Sequence, residues 1–296
     1  MINRLELHME KQLRWVRHKR LVAGAGVLTV AAAALFVLTG AGRASGTEAA
    51  PGVTVSLPPP APAIAVTEAR VPGRPIVLID PGHGGQDPGA TAVSGDITEK
   101  QLTLLFAREL RDKLASDGRV RVALTRDDDR YLPLDQRAAL ARRIGASLYV
   151  SIHMDSAPNP LARGATVYSL SEVASDAEAA QMAAKSNAGM AAAGADDGSV
   201  NAILSNLALR SQMKASADFA EQLVRSAGGI TLRPRPHQFA DFEVLREARV
   251  PAVLFEAGYI SNTDDEAALR SPDQRARIVA ALAHSIETDI AERSLR

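Results

Sequence analysis

The 296-residue chain contains no cysteine. This absence excludes a disulfide framework, a thiolate metal site and a cysteine nucleophile, so any metal ion must be held by histidine and carboxylate side chains. Aromatic residues are also few, because they make up 4% of the sequence and include a single tryptophan. Their scarcity argues against the aromatic platforms on which nucleic-acid bases stack.

Positive charge is scarce outside the N-terminal segment. The formal net charge is zero, but residues 1–44 carry seven of the 34 basic residues and only two of the 34 acidic ones. The remainder of the chain is therefore mildly acidic, which is the wrong sign for binding a polyanion. We expect no nucleic-acid partner.

The N-terminal segment has the pattern of an export signal. Residues 1–20 are rich in basic side chains, residues 21–39 are uncharged and apolar, and small residues follow up to Ala44. A basic flank stays in the cytoplasm while the chain beyond the apolar run is translocated. Residues 21–44 therefore predict a signal peptide cleaved after Ala44 or an uncleaved inner-membrane anchor through 21–39, and both remain open. Residues 45–75 are rich in proline and predict an extended linker with no fold of its own.

Residues 76–296 predict one α/β domain, because short apolar runs alternate with segments of helical period. The predicted strands are 76–80, 120–125, 147–153, 165–170 and 252–257, and the predicted helices are 99–117, 134–145, 175–193, 201–227 and 272–292. This alternation implies a mostly parallel twisted sheet with helices on both faces. The long alanine-rich stretch 171–236, between the fourth and fifth strands, predicts an inserted helical element.

Polar residues lie where the predicted strands end, which is where functional residues gather in α/β sheets. His83 follows the first strand in a glycine-rich loop, His153 ends the third strand, and Glu99 opens the first helix. Together these residues form a His₂Glu set, a usual composition for catalytic zinc that leaves a fourth position for water. Asp155 is close enough in sequence to orient the imidazole of His153, and Asp80 is a second candidate for supporting the site from behind.

Each of these residues also has a plainer interpretation when it is taken alone. His83 fits a solvated loop, His153 fits a hydrogen-bonded structural residue, and Glu99 fits a capping box that begins at Asp96. The metal-site hypothesis depends on their occurrence together.

Glu256 ends the last predicted strand with no oppositely charged neighbour in sequence. Burying a lone carboxylate is costly unless it is paired or functional. One interpretation is a salt bridge to Arg246 or Arg249. The other is a general base that takes a proton from water and returns it to a leaving amine.

Three segments, 79–90, 151–155 and 256–262, together resemble a known family. They are similar to the catalytic domain of zinc-dependent N-acetylmuramoyl-L-alanine amidases of the AmiA/AmiB/AmiC type, over roughly residues 75–292. The resemblance implies that His83, Glu99 and His153 are the zinc ligands and that Glu256 is the catalytic glutamate.

The resemblance also implies a substrate and a cellular location. It implies hydrolysis of the amide bond between N-acetylmuramic acid and L-alanine in peptidoglycan, in the periplasm or cell envelope, for wall remodelling and daughter-cell separation. In division amidases of this kind a helix blocks the zinc site until a LytM-domain activator displaces it. Residues 186–209 occupy that place here, but their only acidic residues are Asp196 and Asp197, so activator dependence is a hypothesis.

Two other functions stay open. One is a different zinc amide hydrolase that acts on envelope peptides, and the other is a non-catalytic murein-binding division protein that has kept the fold.

Overall fold

The computed structural model describes residues 64–188 and 200–295. The predicted signal or anchor, residues 1–44, lies outside the described residues, as do the first 19 positions of the predicted linker, 45–63. Within the part of the chain that the structure describes, no helix is long and apolar enough to span a membrane.

Strands and helices alternate along the described residues. The strands are β1 (Val66–Thr67), β2 (Ile76–Pro81), β3 (Arg121–Leu124), β4 (Ala146–Asp155), β5 (Ala165–Leu170), β6 (Leu232–Ala240) and β7 (Ala252–Tyr259). The helices are α1 (Glu99–Asp117), α2 (Leu134–Arg143), α3 (Ala177–Asn187), α4 (Val200–Ser226), α5 (Glu243–Ala248), α6 (Thr263–Arg270) and α7 (Pro272–Ser294). All five predicted strands are present, and a helix lies in each of the five predicted helical segments; positions 189–193 of the predicted helix 175–193 lie outside the described residues.

The strands form one sheet in the order β1-β3-β2-β4-β7-β5-β6. Four neighbouring pairs are parallel, but β1 runs antiparallel to β3, and β5 runs antiparallel to β7. The sheet is therefore mixed, and the prediction of a mostly parallel sheet was wrong. The reversal at β5 follows from its short connection to β4, since residues 156–164 are fewer than the dozen or so that a parallel crossover needs.

Two strands and two short helices were not predicted. Strand β6 contains Pro234 and Pro236 and lies at the edge of the sheet, where a residue without an N–H group is tolerated. Strand β1 falls inside the predicted linker 45–75 but pairs with β3. The last part of that linker therefore does have a fold, because it contributes a strand to the sheet.

Helices cover both faces of the sheet, as predicted. Alternate residues of β2 feed two separate cores: Val77 and Ile79 pack in one, and Ile76 and Leu78 in the other. This alternation is the two-residue period of a strand that is buried on both faces. Helices α1, α4 and α7 contribute to the first core, and α2, α3 and α5 to the second.

Helix α1 begins at Glu99 because Thr98 adopts the extended conformation of an N-cap residue. The backbone N–H of Thr98 donates to Oε1 of Gln101 at 2.9 Å. Asp96 is not the cap: its carboxylate pairs with Arg270 at 2.6 Å. The start of α1 is thus defined without Glu99, which leaves its side chain available to the site.

The C-terminal half of α4 belongs to the first core. Phe219, Ala220 and Leu223 are buried there, where α4 packs against α7 and β5. The predicted element 171–236 is therefore not wholly an insertion, because its later residues complete the main core and form most of β6.

Truncating Phe219 tests whether α4 completes the core. Phe219→Ala is expected to lower the free energy of unfolding by about 3–5 kcal/mol, since the side chain is fully buried. The control, Leu207→Ala on the same helix, removes a side chain that is 57% exposed and should cost no more than about 0.5 kcal/mol. Urea unfolding measures both, and equal small losses would contradict the core assignment.

Candidate metal centre and active site

Three side chains from distant parts of the chain converge at one edge of the sheet. His83 lies just beyond β2, Glu99 is the first residue of α1, and His153 lies near the end of β4. Their possible ligand atoms all lie within 4.8 Å of one another. Oε1 of Glu99 is 3.0 Å from Nε2 of His83 and 2.9 Å from Nδ1 of His153. The structure thus brings together the three residues that the sequence analysis selected.

The carboxylate of Glu99 is buried and held at both oxygens. Oε2 accepts the backbone N–H of Ala90 at 3.0 Å, and Oε1 accepts that of Met154 at 3.1 Å. Burial opposes ionisation, but the hydrogen bonds from His153 and His83 outweigh it and lower the pKa of Glu99. The group is therefore an anion at neutral pH, which is the form that binds a metal ion.

His83 is oriented by a residue that the sequence analysis did not select. Nδ1 of His83 lies 2.8 Å from Oδ2 of Asp87, and the other oxygen of Asp87 accepts the backbone N–H of Gly89 at 3.1 Å. A carboxylate on one ring nitrogen fixes the tautomer and aims the other nitrogen at a metal. The available signal was the position of Asp87, four residues after His83 in the same glycine-rich loop.

Glu256 lies beside His153, because the two residues are register partners in the parallel pair of β4 and β7. It is 3% exposed, and its Oε2 is buried with no hydrogen-bond partner among the described residues. Burial, followed by the charges of Asp155 and Glu99, raises the pKa of Glu256 well above its ordinary value. The alternative interpretation, a salt bridge to Arg246 or Arg249, is not found among the described residues, where Arg246 pairs with Asp241 at 2.6 Å.

The two aspartates that were candidates for supporting the site, Asp80 and Asp155, differ in their contacts. Asp80 accepts hydrogen bonds from Tyr149 at 2.6 Å and from Arg137 at 2.9 Å, so it lies behind the site and touches no ligand directly. Asp155 accepts the backbone N–H of Ser156, and Nδ1 of His153 faces Glu99 instead. Closeness in sequence therefore did not place Asp155 on the ring of His153; the pairing of β4 with β7 shifts register between positions 153 and 155.

A cavity of about 270 Å³ opens over the cluster. The metal-ligand candidates and Glu256 contribute to its lining, together with a set of apolar residues: Leu132, Pro133, Leu134, Met182, Phe242, Val244 and Leu254. Helix α3 and its C-cap supply Met182, Lys185, Ser186 and Ala188. A cleft with convergent polar groups and an apolar wall is the usual form of a small-molecule or cofactor site.

Glycine is required where the backbone passes the imidazole of His153. A Cβ atom on Gly82 would lie 2.3 Å from Cε1 of that ring. A Cβ on Gly89, whose φ is +67°, would lie 2.6 Å from Oε2 of Glu99 and 2.7 Å from Cδ2 of His83. The glycine-rich loop therefore serves close approach to the ligand side chains.

Comparison with known proteins identifies the family. The sequence pattern of the family described as N-acetylmuramoyl-L-alanine amidase matches residues 77–288, which is more than half of the chain. The chain belongs to this amidase family.

Curated amidases are similar to the chain over the same region. It is 33% identical to the amidase AmiA of Escherichia coli over 220 residues, which are 72% of this chain and 75% of AmiA. It is 33% identical to the probable amidase AmiB of Haemophilus influenzae over 211 residues, which are 68% of this chain and 49% of AmiB. The chain thus spans about half the length of some curated relatives.

Solved amidase structures share the fold. The catalytic domain of CwlV from Bacillus (Paenibacillus) polymyxa is 28% identical with a TM-score of 0.52, over 72% of this chain and 96% of that domain. AmiC2 of Nostoc punctiforme is 26% identical with a TM-score of 0.53, over 76% of this chain and 99% of AmiC2. The amidase fold accounts for the mixed sheet as well as for its helices.

Adding one methyl group at Gly82 tests the metal-centre geometry. Gly82→Ala forces the ring of His153 or the loop to move, so zinc affinity is expected to fall about tenfold or more. Gly228→Ala is the matched control, because a Cβ there meets nothing within 4 Å and Gly228 is exposed. Competition with a chromophoric chelator measures both, and unchanged affinity in Gly82→Ala would contradict a site that includes His153.

Proposed function

We propose that this chain is a zinc-dependent peptidoglycan amidase, which hydrolyses the amide bond between N-acetylmuramic acid and L-alanine. The observation that carries the proposal is the ionised Glu99 between two imidazoles, with the unpartnered Glu256 on the neighbouring strand. Membership of the amidase family supports the choice of bond and polymer.

The donor set fits zinc. Two imidazole nitrogens and one carboxylate oxygen are a usual protein ligand set for catalytic zinc, with one position left for water or substrate. Without a metal ion, only charge and hydrogen bonds hold the side chains of His83, Glu99 and His153 together. His83, Glu99 and His153 are the residues that would hold the ion.

A bound zinc ion in such a site polarises a carbonyl group and lowers the pKa of water. One proton of the attacking water passes to the carboxylate of Glu256, while the water oxygen bonds to the carbonyl carbon. Glu256 then returns this proton to the amide nitrogen as the C–N bond breaks, which releases the lactyl carboxylic acid of the muramoyl group and the free amine of L-alanine; the acid then loses the second proton of the water to that amine. Burial raises the pKa of Glu256, which makes its carboxylate a stronger proton acceptor than an exposed one.

The remaining assignments concern place and regulation. An exported enzyme of this activity would act in the periplasm or cell envelope, on wall remodelling and the separation of daughter cells. The export signal or anchor at 21–44 supports this location and stays a prediction.

Regulation by a LytM-domain activator is part of the same proposal. Helix α3 and its C-cap place Met182, Lys185, Ser186 and Ala188 along the cavity, so the segment 186–209 begins at the site. Positions 189–199 of this segment lie outside the described residues. Rapid hydrolysis of murein by the purified chain alone would contradict activator dependence, whereas hydrolysis only after a LytM-domain protein is added would support it.

Replacing the carboxylate of Glu256 tests the catalytic assignment. Glu256→Gln keeps the size of the side chain but removes the proton acceptor, so the rate is expected to fall by about 10²–10⁴-fold while the zinc content stays at the wild-type level. Glu221→Gln, at an exposed position on α4, is the matched control and should change neither quantity. Mass analysis of digested murein and metal analysis of the protein measure the two effects.

The products separate the amidase from its alternatives. Peptide-free muramic acid and peptides that begin with a free L-alanine amine are expected, and chelator should abolish both. Cleavage elsewhere in the stem peptide would indicate another amide hydrolase. Murein binding without products, with zinc bound and a LytM-domain protein present, would indicate a non-catalytic division protein.

A further inference from the structure

The loop that carries His83 passes through a conformation that residues with a side chain avoid. His83 has a φ of 60°, in the left-handed region where Cβ crowds the following carbonyl oxygen. Such a conformation persists only where the surrounding contacts hold it. Those contacts therefore determine how the imidazole is presented to Glu99.

Arg137 donates a hydrogen bond directly to the backbone of His83. Its side chain is buried in α2, and Nη2 donates to the carbonyl oxygen of His83 at 2.6 Å. Nη1 donates to the carbonyl oxygen of Pro81 at 2.8 Å and to Oδ1 of Asp80 at 2.9 Å, while Nε donates to the carbonyl oxygen of Leu132 at 2.7 Å. All three guanidinium nitrogens are therefore engaged, two of them on the strand end and loop that carry His83.

Arg126 holds Gly82, which lies between Pro81 and His83. It is fully buried, and Nη2 donates to the carbonyl oxygen of Gly82 at 2.8 Å while Nε donates to that of Pro81 at 3.1 Å. No carboxylate accepts a hydrogen bond from Arg126 in the described ranges. Burial and the nearby charge of Arg137 lower the pKa of Arg126 to about 10. Together the two arginines hold three successive carbonyl oxygens, at positions 81, 82 and 83.

This arrangement is a costly way to stabilise a fold. Arg137 pairs with the buried carboxylate of Asp80, whereas Arg126 has no carboxylate hydrogen-bond partner among the described residues. Removing charges from water is unfavourable unless their pairing is complete. A planar guanidinium can, however, donate to several fixed acceptors at once. In this structure, the two guanidinium groups fix the position of the loop that carries His83.

We propose that Arg137 is a positioning residue for the first zinc ligand, holding His83 in its left-handed conformation so that Nε2 faces Glu99, while Arg126 fixes Pro81 and Gly82. This inference rests on the metal site proposed above. Neither arginine is assigned a contact with the substrate.

Substitution by lysine separates the guanidinium geometry from its charge. Arg137→Lys keeps the positive charge but replaces three nitrogens by one, which cannot reach the acceptors at 81, 83 and 132 together. Arg142→Lys is the matched control, because Arg142 lies on the same helix and pairs with Glu247, away from the site.

Zinc affinity of the full chain is the first measurement, by competition with a chromophoric chelator and with far-UV circular dichroism as a check of folding. Arg137→Lys is expected to weaken zinc binding by about 10–100-fold, as outer partners of metal ligands do, and Arg142→Lys to leave it unchanged. Affinity within about twofold of wild type in folded Arg137→Lys would overturn the proposal. If that variant does not fold, Arg126→Lys takes its place under the same two outcomes.

The second measurement does not depend on zinc. In the metal-free chain at fixed pH, ring ¹H–¹⁵N correlations report the contact between Nδ1 of His83 and Asp87. This signal should shift or broaden in Arg137→Lys and stay unchanged in Arg142→Lys, and an unchanged signal in folded Arg137→Lys would overturn the positioning role. Failure of wild-type protein to bind zinc would instead count against the metal site, and the ring signal would still decide the role of Arg137.

Discussion

The carboxylate of Glu99 is buried between two imidazole rings, and the arrangement of the site depends on its remaining ionised there. Burial alone would favour the neutral acid, but the hydrogen bonds from His153 and His83 reverse that preference. Two backbone N–H groups complete the set of donors. The anion is thus stable only when the loop after β2, the end of β4 and the start of α1 are all in place. The hydrogen bonds of Glu99 therefore link the loop after β2, the end of β4 and the start of α1.

The sheet explains how those elements meet. Strands β2, β4 and β7 are adjacent and parallel, so their carboxyl ends lie at one edge. Because side chains alternate along a strand, Asp80, His153 and Glu256 fall on the face covered by α2, α3 and α5. Glu99 comes from α1, which packs on the opposite face, and reaches the site from its first turn. The active-site side chains therefore come from both layers of helices.

Local sequence patterns predicted the features that depend on neighbouring residues, namely the core strands and the polar residues that follow them. Apolar runs predicted the five core strands, and the residues after them predicted the cluster of His83, Glu99 and His153. Strand β6 was not predicted because its prolines are tolerated only at a sheet edge, and that position is a property of the whole fold. The contacts of Arg137 with the loop could not be predicted either. They join segments more than fifty residues apart, and no periodicity reports such a distance.

The proposed site binds one metal ion through the imidazoles of His83 and His153 and the carboxylate of Glu99. X-ray absorption at the zinc edge of the zinc-loaded full chain tests it most directly, because it reports ligand types and distances without any assay of activity. Four light ligands at about 2.0–2.2 Å, with the multiple-scattering signature of two imidazoles, are expected. A shell of six oxygens, or a spectrum with no imidazole contribution, would contradict it.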